Sequence, residues 1–121
     1  MATQPLTKEN FSSTIDSNDV VLIDFWAGWC RPCVRFAPIY EAASERHADV
    51  VFAKLDTEEE QEVAGALEIS SIPTIMAFRA GVLVFRQSGV IDGSQIDSLI
   101  EQIKELDIEE LKKQAAEASA S

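Results

Sequence analysis

Cys30 and Cys33 stand two residues apart in the stretch DFWAGWCRPCVRFAP and are the only cysteines of the chain. Such a pair can act as a redox couple, supply half of a zinc site or close a small structural disulfide. A closed zinc site usually has four cysteine or histidine ligands, and the chain adds only His47, distant in sequence. A structural disulfide is disfavoured in the reducing cytosol, where we expect the protein. The pair therefore favours redox chemistry.

Redox chemistry needs a thiolate, and the position of Cys30 favours one. Cys30 follows a predicted strand and stands where the next helix should begin. The free N–H groups at a helix N-terminus stabilise negative charge. Cys33 lies one helical turn later, within reach of Cys30. The pair could therefore attack a substrate disulfide through Cys30 and resolve the mixed disulfide through Cys33.

Asp24 interrupts the apolar run VVLIDFW just before the cysteines. Burial would raise the pKa of this carboxyl, which could then take the proton from Cys33 as a general base. Alternatively, Asp24 lies at a strand end and only binds solvent or a backbone donor. Lys54, in the neighbouring predicted strand FAKLD, could be a counter-charge for Asp24 or a lysine that reaches the surface.

The elements around these residues alternate between helix and strand. Periodicity and turn residues predict a helix from Lys8 to about Ile15 capped by Thr7, strands at 20–25 and 49–56, helices at about 33–46 and 57–69, a hairpin of 74–79 and 82–88, and a helix starting at 92–94. This order predicts an α/β fold in which a central mixed sheet has helices on both faces and an antiparallel hairpin at its edge.

Length and composition fit one domain with a short extension. The chain has 121 residues, 46% of them hydrophobic. We assign residues 1–106 to the domain and residues 107–121 to an acidic helical C-terminal extension. We expect that extension to be a partly frayed helix. It could also dock on the domain, continue the last helix or meet a second copy.

Charge and hydropathy exclude several classes of partner. The net charge of −11 argues against nucleic-acid binding. No apolar run is long enough to span a membrane, and the N-terminus does not look like a secretory signal. We therefore expect a cytoplasmic protein that binds neither nucleic acid nor membrane.

In these motifs the chain resembles the thioredoxin family over about Leu6 to Leu106. The matching features are DFWAGWC-x-PC, Pro38, AKLD, IPT, Gly81 and Gly89, in order and at family spacings. The resemblance implies a thioredoxin fold with Cys30 as the nucleophile and Cys33 as the resolving cysteine. It also implies that Asp24 is a buried acid–base group with Lys54 nearby.

The resemblance further implies a substrate site. Pro73 would be cis, a choice that the residues alone leave open. The backbone of Ile72 would pair with an extended substrate segment, and Trp26 would pack beneath the loop. The apolar groove around the exposed Cys30 sulfur would consist of Trp29, Ile72, Pro73, Gly89 and Val90, and Arg31 and Pro32 would also bind the substrate. The protein, expected to be a monomer, would bind no cofactor and would receive electrons from NADPH through a flavoprotein thioredoxin reductase.

Three positions depart from the family pattern. Arg31-Pro32 replaces the usual Gly-Pro, Ser71 stands where glycine is frequent, and Val34, followed by Arg35, replaces a common lysine. A cation beside Cys30 favours the thiolate and makes the couple more oxidising, although solvent screening keeps the effect small. Alternatively, Arg31 only contacts partners.

The sequence thus predicts a thiol–disulfide oxidoreductase that acts as a protein-disulfide reductase. The nearest alternative is an oxidase or isomerase, which Arg31 favours. An alternative from another class is an interaction module of the same fold, in which the cysteines are incidental to partner binding.

Overall fold

The protein, whose computed structural model describes residues 2–120, is built around five strands. These are β1 (Thr3–Pro5), β2 (Val20–Trp26), β3 (Val51–Asp56), β4 (Thr74–Arg79) and β5 (Val82–Ser88). They form one sheet in the order β1-β3-β2-β4-β5. β3 runs parallel to β1 and β2, whereas β4 is antiparallel to both β2 and β5. The mixed sheet and the edge hairpin are confirmed.

Five helices surround the sheet. They are α1 (Phe11–Asp16), α2 (Arg31–Arg46), α3 (Gln61–Ala66), α4 (Gly93–Lys104) and α5 (Ile108–Ala120). α2 and α4 contribute to the apolar cluster on one face, and α1 and α3 to the cluster on the other. β2 feeds both, since Leu22 belongs to the first and Ile23 to the second. A strand buried on both faces explains the nearly continuous apolar run of VVLIDF.

Several element boundaries differ from the prediction, among them the end of α3 at Ala66 rather than at 69. α1 begins at Phe11 rather than Lys8, because Thr7 and Asn10 bond to each other and form a turn before the helix. β3 begins at Val51 rather than at 49. α3 begins at Gln61, because Asp56 accepts the N–H groups of Glu58 and Glu59 and closes a turn first.

In the C-terminal extension, residues 108–120 are helical. α5 follows α4 after a short break and lies against β5. A shallow cavity of about 390 Å³ between them is lined by residues that include Leu83, Leu106, Leu111 and Ala115. Of the alternatives left open for residues 107–121, the structure has the helix docked on the domain. No helix within residues 2–120 is long and apolar enough to cross a bilayer.

Candidate active site

The two cysteines lie at the start of α2, just beyond the end of β2. Cys30 is the N-cap residue of α2, and the backbone N–H of Cys33 donates to Cys30 Sγ at 3.3 Å. A free amide of the first helical turn therefore points at the sulfur. Both cysteines are thiols in this structure. The arrangement suits a sulfur that has to carry negative charge.

Both thiols are largely covered. Cys30 is 5% exposed and Cys33 is 2% exposed, because Trp26, Ala27 and Ile72 pack around them. Cys30 as a residue is therefore more covered than the exposed sulfur that the resemblance implies, and Trp26 packs against the two cysteines. Burial, followed by the hydrogen bond with the Cys30 thiol, raises the pKa of Cys33 to about 12. Cys33 therefore needs a base before it can act as a nucleophile near neutral pH.

Asp24 lies within β2 and is fully buried. The alternative position at a strand end is thereby excluded, because Asp24 pairs in register with Lys54 of β3 on one side and Ile75 of β4 on the other. Neither carboxyl oxygen has a hydrogen-bond partner among the described residues. Burial raises the pKa of Asp24 to about 7, while the charge of Lys54 opposes that rise. The Asp24 charge in turn contributes to the raised pKa of Cys33.

Lys54 is both a counter-charge that acts on Asp24 and a side chain that partly reaches the surface. It is half-buried, and its Nζ lies 4.9 Å from the centroid of the Trp26 ring, a cation–π contact. Lys54 does not hydrogen-bond to Asp24. Its charge nevertheless lowers the pKa of Asp24 against the larger effect of burial. Lys54 therefore acts on the carboxyl through space.

The chain crosses in front of the dithiol just before β4. The Ile72–Pro73 peptide bond is cis, as the resemblance implies. The Cys30 thiol donates a hydrogen bond to the carbonyl oxygen of Ile72 at 3.7 Å. Gly89, with φ of 100°, donates its N–H to the Pro73 carbonyl at 2.8 Å. Ile72, Pro73 and Gly89 thus lie together beside Cys30.

Exposed apolar side chains and a cation flank Cys30 and Gly89 in the chain. Trp29 is 70% exposed and Val90 is 40% exposed. Arg31 is exposed and begins α2, and Pro32 follows it within the first turn. Trp29, Arg31 and Pro32 thus adjoin Cys30 in the chain, and Val90 follows Gly89.

Sequence reasoning missed two side chains at this surface. Glu58 accepts the indole N–H of Trp29 at 2.8 Å and so orients the exposed ring. Ser88 lies 3.0 Å from the hydroxyl groups of both Ser71 and Thr74. Glu58 is hidden in an acidic run, and Ser88 ends a strand with no motif. The described part of the chain also contains no cluster of three or more side chains suited to a metal ion.

Comparison with known proteins gives the same family throughout. The family model described as thioredoxin matches residues 2–105. A Streptomyces coelicolor protein that carries a thioredoxin name is 49% identical over 98% of this chain and 89% of its own length. A solved mutant thioredoxin from Halobacterium salinarum has a TM-score of 0.80 at 33% identity, covering 87% of this chain and 93% of that one. A Plasmodium falciparum thioredoxin structure has a TM-score of 0.75 at 37% identity, covering 82% and 97%.

Proposed function

Because this chain belongs to the thioredoxin family and is a thiol–disulfide oxidoreductase, we propose that Cys30 is its nucleophile and Cys33 its resolving cysteine. The Cys30 thiolate attacks one sulfur of a protein disulfide, forms a mixed disulfide and releases one substrate thiolate. Cys33, once deprotonated, attacks Cys30 Sγ and releases the second. The substrate ends as a dithiol, and Cys30 and Cys33 end as a disulfide.

We propose that Asp24 is the base that makes the second step possible. The observation that carries this role is a fully buried carboxyl whose pKa of about 7 lets it hold or release a proton near neutral pH. Cys33, whose pKa is raised to about 12, requires such a base. Lys54 tunes the carboxyl through space and keeps its pKa from rising further.

The substrate would bind across the cis-proline loop. Its extended backbone would pair with Ile72, whose carbonyl faces the Cys30 sulfur. Apolar side chains beside the substrate cysteine would contact Trp29, Pro73 and Val90, and Gly89 would let the substrate approach closely. Arg31 and Pro32 would contact the substrate from the start of α2.

The direction of catalysis and its partners follow from the family. The protein would work as a cytoplasmic, monomeric reductase of protein disulfides, and a flavoprotein thioredoxin reductase would return it to the dithiol with electrons from NADPH. Residues 1–106 would form the catalytic domain and residues 107–121 an extension of it. Family members hold no cofactor of their own, so the electrons reside in the two sulfurs.

A trapping experiment tests the assignment of the two cysteines. Cys33→Ser should accumulate a covalent mixed disulfide with a protein substrate such as insulin, because the attack by Cys30 remains and its resolution is lost. Cys30→Ser is the matched control and should trap nothing. Intact mass spectrometry before and after reduction measures both. Trapping through Cys33 in the Cys30→Ser protein, or in neither variant, would contradict the proposal.

A further inference from the structure

The loop 67–73 connects α3 to β4 and ends with Ile72 and Pro73. Two side chains of β5 form hydrogen bonds that hold this loop. Arg86 and Ser88 are alternate residues of β5, so their side chains leave the same face of the strand. Arg86 reaches the beginning of the loop and Ser88 reaches its end. Gln87, between them, faces the opposite side and lines a cavity against α4.

At the beginning of the loop, Arg86 binds the carboxyl end of α3. Its Nη1 donates to the carbonyl of Leu67 and its Nη2 to the carbonyl of Glu68, each at 2.7 Å. These carbonyls follow the last turn of the helix, where a cation is favourable. Glu68 has a positive φ of 55°, which turns the chain away from the helix and toward the dithiol. The planar guanidinium therefore holds the loop where it leaves α3.

At the end of the loop, Ser88 completes a closed ring of hydrogen bonds. The Thr74 hydroxyl donates to the Ser71 carbonyl at 2.5 Å, and the Ser71 hydroxyl donates to Ser88 Oγ at 3.0 Å. Each hydroxyl has one proton, so the remaining 3.0 Å contact between Ser88 and Thr74 must be donated by Ser88. All three hydroxyl protons are therefore donated in hydrogen bonds. The ring links Ser88 to Ser71, just before Ile72, and to Thr74, just after Pro73.

We propose that Arg86 and Ser88 are positioning residues that hold the loop 67–73 ready for extended protein substrates. This inference rests on the proposed function, in which the Ile72 backbone binds the substrate. A loop held at both ends loses little freedom when a substrate strand pairs with it, whereas a loosened loop must be ordered first. A small disulfide contacts only Cys30 and does not pair with the loop, so its reduction does not depend on how well the loop is ordered. The two side chains thus set the preference for protein disulfides over small ones.

Steady-state kinetics with two disulfides tests the inference. Arg86→Ala and Ser88→Ala should each raise KM for insulin about threefold, and about tenfold together, with kcat nearly unchanged, because each removes hydrogen bonds of ordinary strength. The rate with hydroxyethyl disulfide should stay within about twofold of the wild type. Ser88→Thr, which keeps the hydroxyl, should restore the KM. Gln87→Ala, on the opposite face, is the control and should change neither substrate.

The outcomes separate the two proposals. A wild-type protein that reduces neither disulfide would overturn the proposed function and this inference with it. Variants that lose activity equally on both disulfides would overturn this inference alone, since their defect would then lie in the dithiol or in folding. Variants with an unchanged KM for insulin would overturn it as well.

Discussion

At the scale of single residues, the candidate site contains a buried carboxyl that has no hydrogen-bond partner among the described residues. Asp24 lies in the central strand, where an ionised group is costly, and burial raises its pKa to about 7. In the unfolded chain this carboxyl has its ordinary pKa of 3.8. Because the native state holds its proton more tightly, the carboxyl destabilises the fold as pH rises from about 4 to about 7. Above that range the cost is fully present.

Replacing Asp24 should therefore remove a pH-dependent penalty. Asp24→Asn should gain stability relative to the wild type as pH is raised from 4 to 8, on the order of 4 kcal/mol from the displacement of the pKa. The same variant should release the mixed disulfide more slowly, by about a hundredfold, since Cys33 loses its base. Urea unfolding at both pH values and single-turnover reduction of insulin measure the two effects.

Asp16 provides the matched control, because it is exposed at the end of α1. Asp16→Asn measures the effect of an Asp→Asn substitution outside the core. A stability difference between Asp24→Asn and the wild type that stays constant over this range would contradict the raised pKa of Asp24.

At the scale of elements, periodicity was strong enough to predict which segments form helices and strands. Their first and last residues were less predictable, because these depend on hydrogen bonds within the turns. The apolar run of β2 and the hairpin of β4 and β5 follow directly from residue types. The late start of α1 does not, because it depends on Thr7 and Asn10 bonding to each other rather than to the helix. The reciprocal bonds between Asp92 and Gln95, by contrast, fix the start of α4 close to its prediction.

The site was predictable wherever it follows a motif and not where it depends on tertiary contacts. Cys30, Cys33 and Asp24 were proposed as site residues from spacing and from a charge in an apolar run. The position of Lys54 over Trp26 could not be read from sequence, since it depends on strand register. The loop contacts of Ser88 depend on the pairing of β4 with β5 and carry no local signal.

The docked α5 gives a prediction about stability. Deleting residues 108–121 would expose apolar surface of the cavity that Leu111 and the start of β5 line together, and should lower the free energy of unfolding by about 1–2 kcal/mol. Disulfide reduction should be unaffected, because α5 contacts the Val82 end of β5 and the dithiol loop contacts the Ser88 end. Urea unfolding and insulin reduction measure the two properties. An unchanged unfolding free energy, or a loss of activity, would contradict this account of α5.

At the scale of the whole molecule, the sheet brings separate segments to one end. β2 carries Asp24 and leads into the dithiol, and β3 carries Lys54. Ile72 and Pro73 lie where the chain enters β4. The carboxyl end of β5 adds the side chains that hold this loop, whereas α5 lies toward the other end. Catalysis and the C-terminal extension are therefore spatially separate in the fold.

The central claim is that Cys30 and Cys33 form a reversible couple that reduces protein disulfides. Its most direct test is the reduction potential, measured at pH 7 by equilibration with a thiol–disulfide buffer. We expect a value near the known potential of thioredoxin, about −270 mV. The reduction potential of Arg31→Gly should be lower than that of the wild type by no more than about 30 mV, because solvent screens the charge of an exposed arginine. A wild-type value between about −180 and −120 mV, typical of isomerases and strong oxidants, or a failure to cycle, would contradict a reductase.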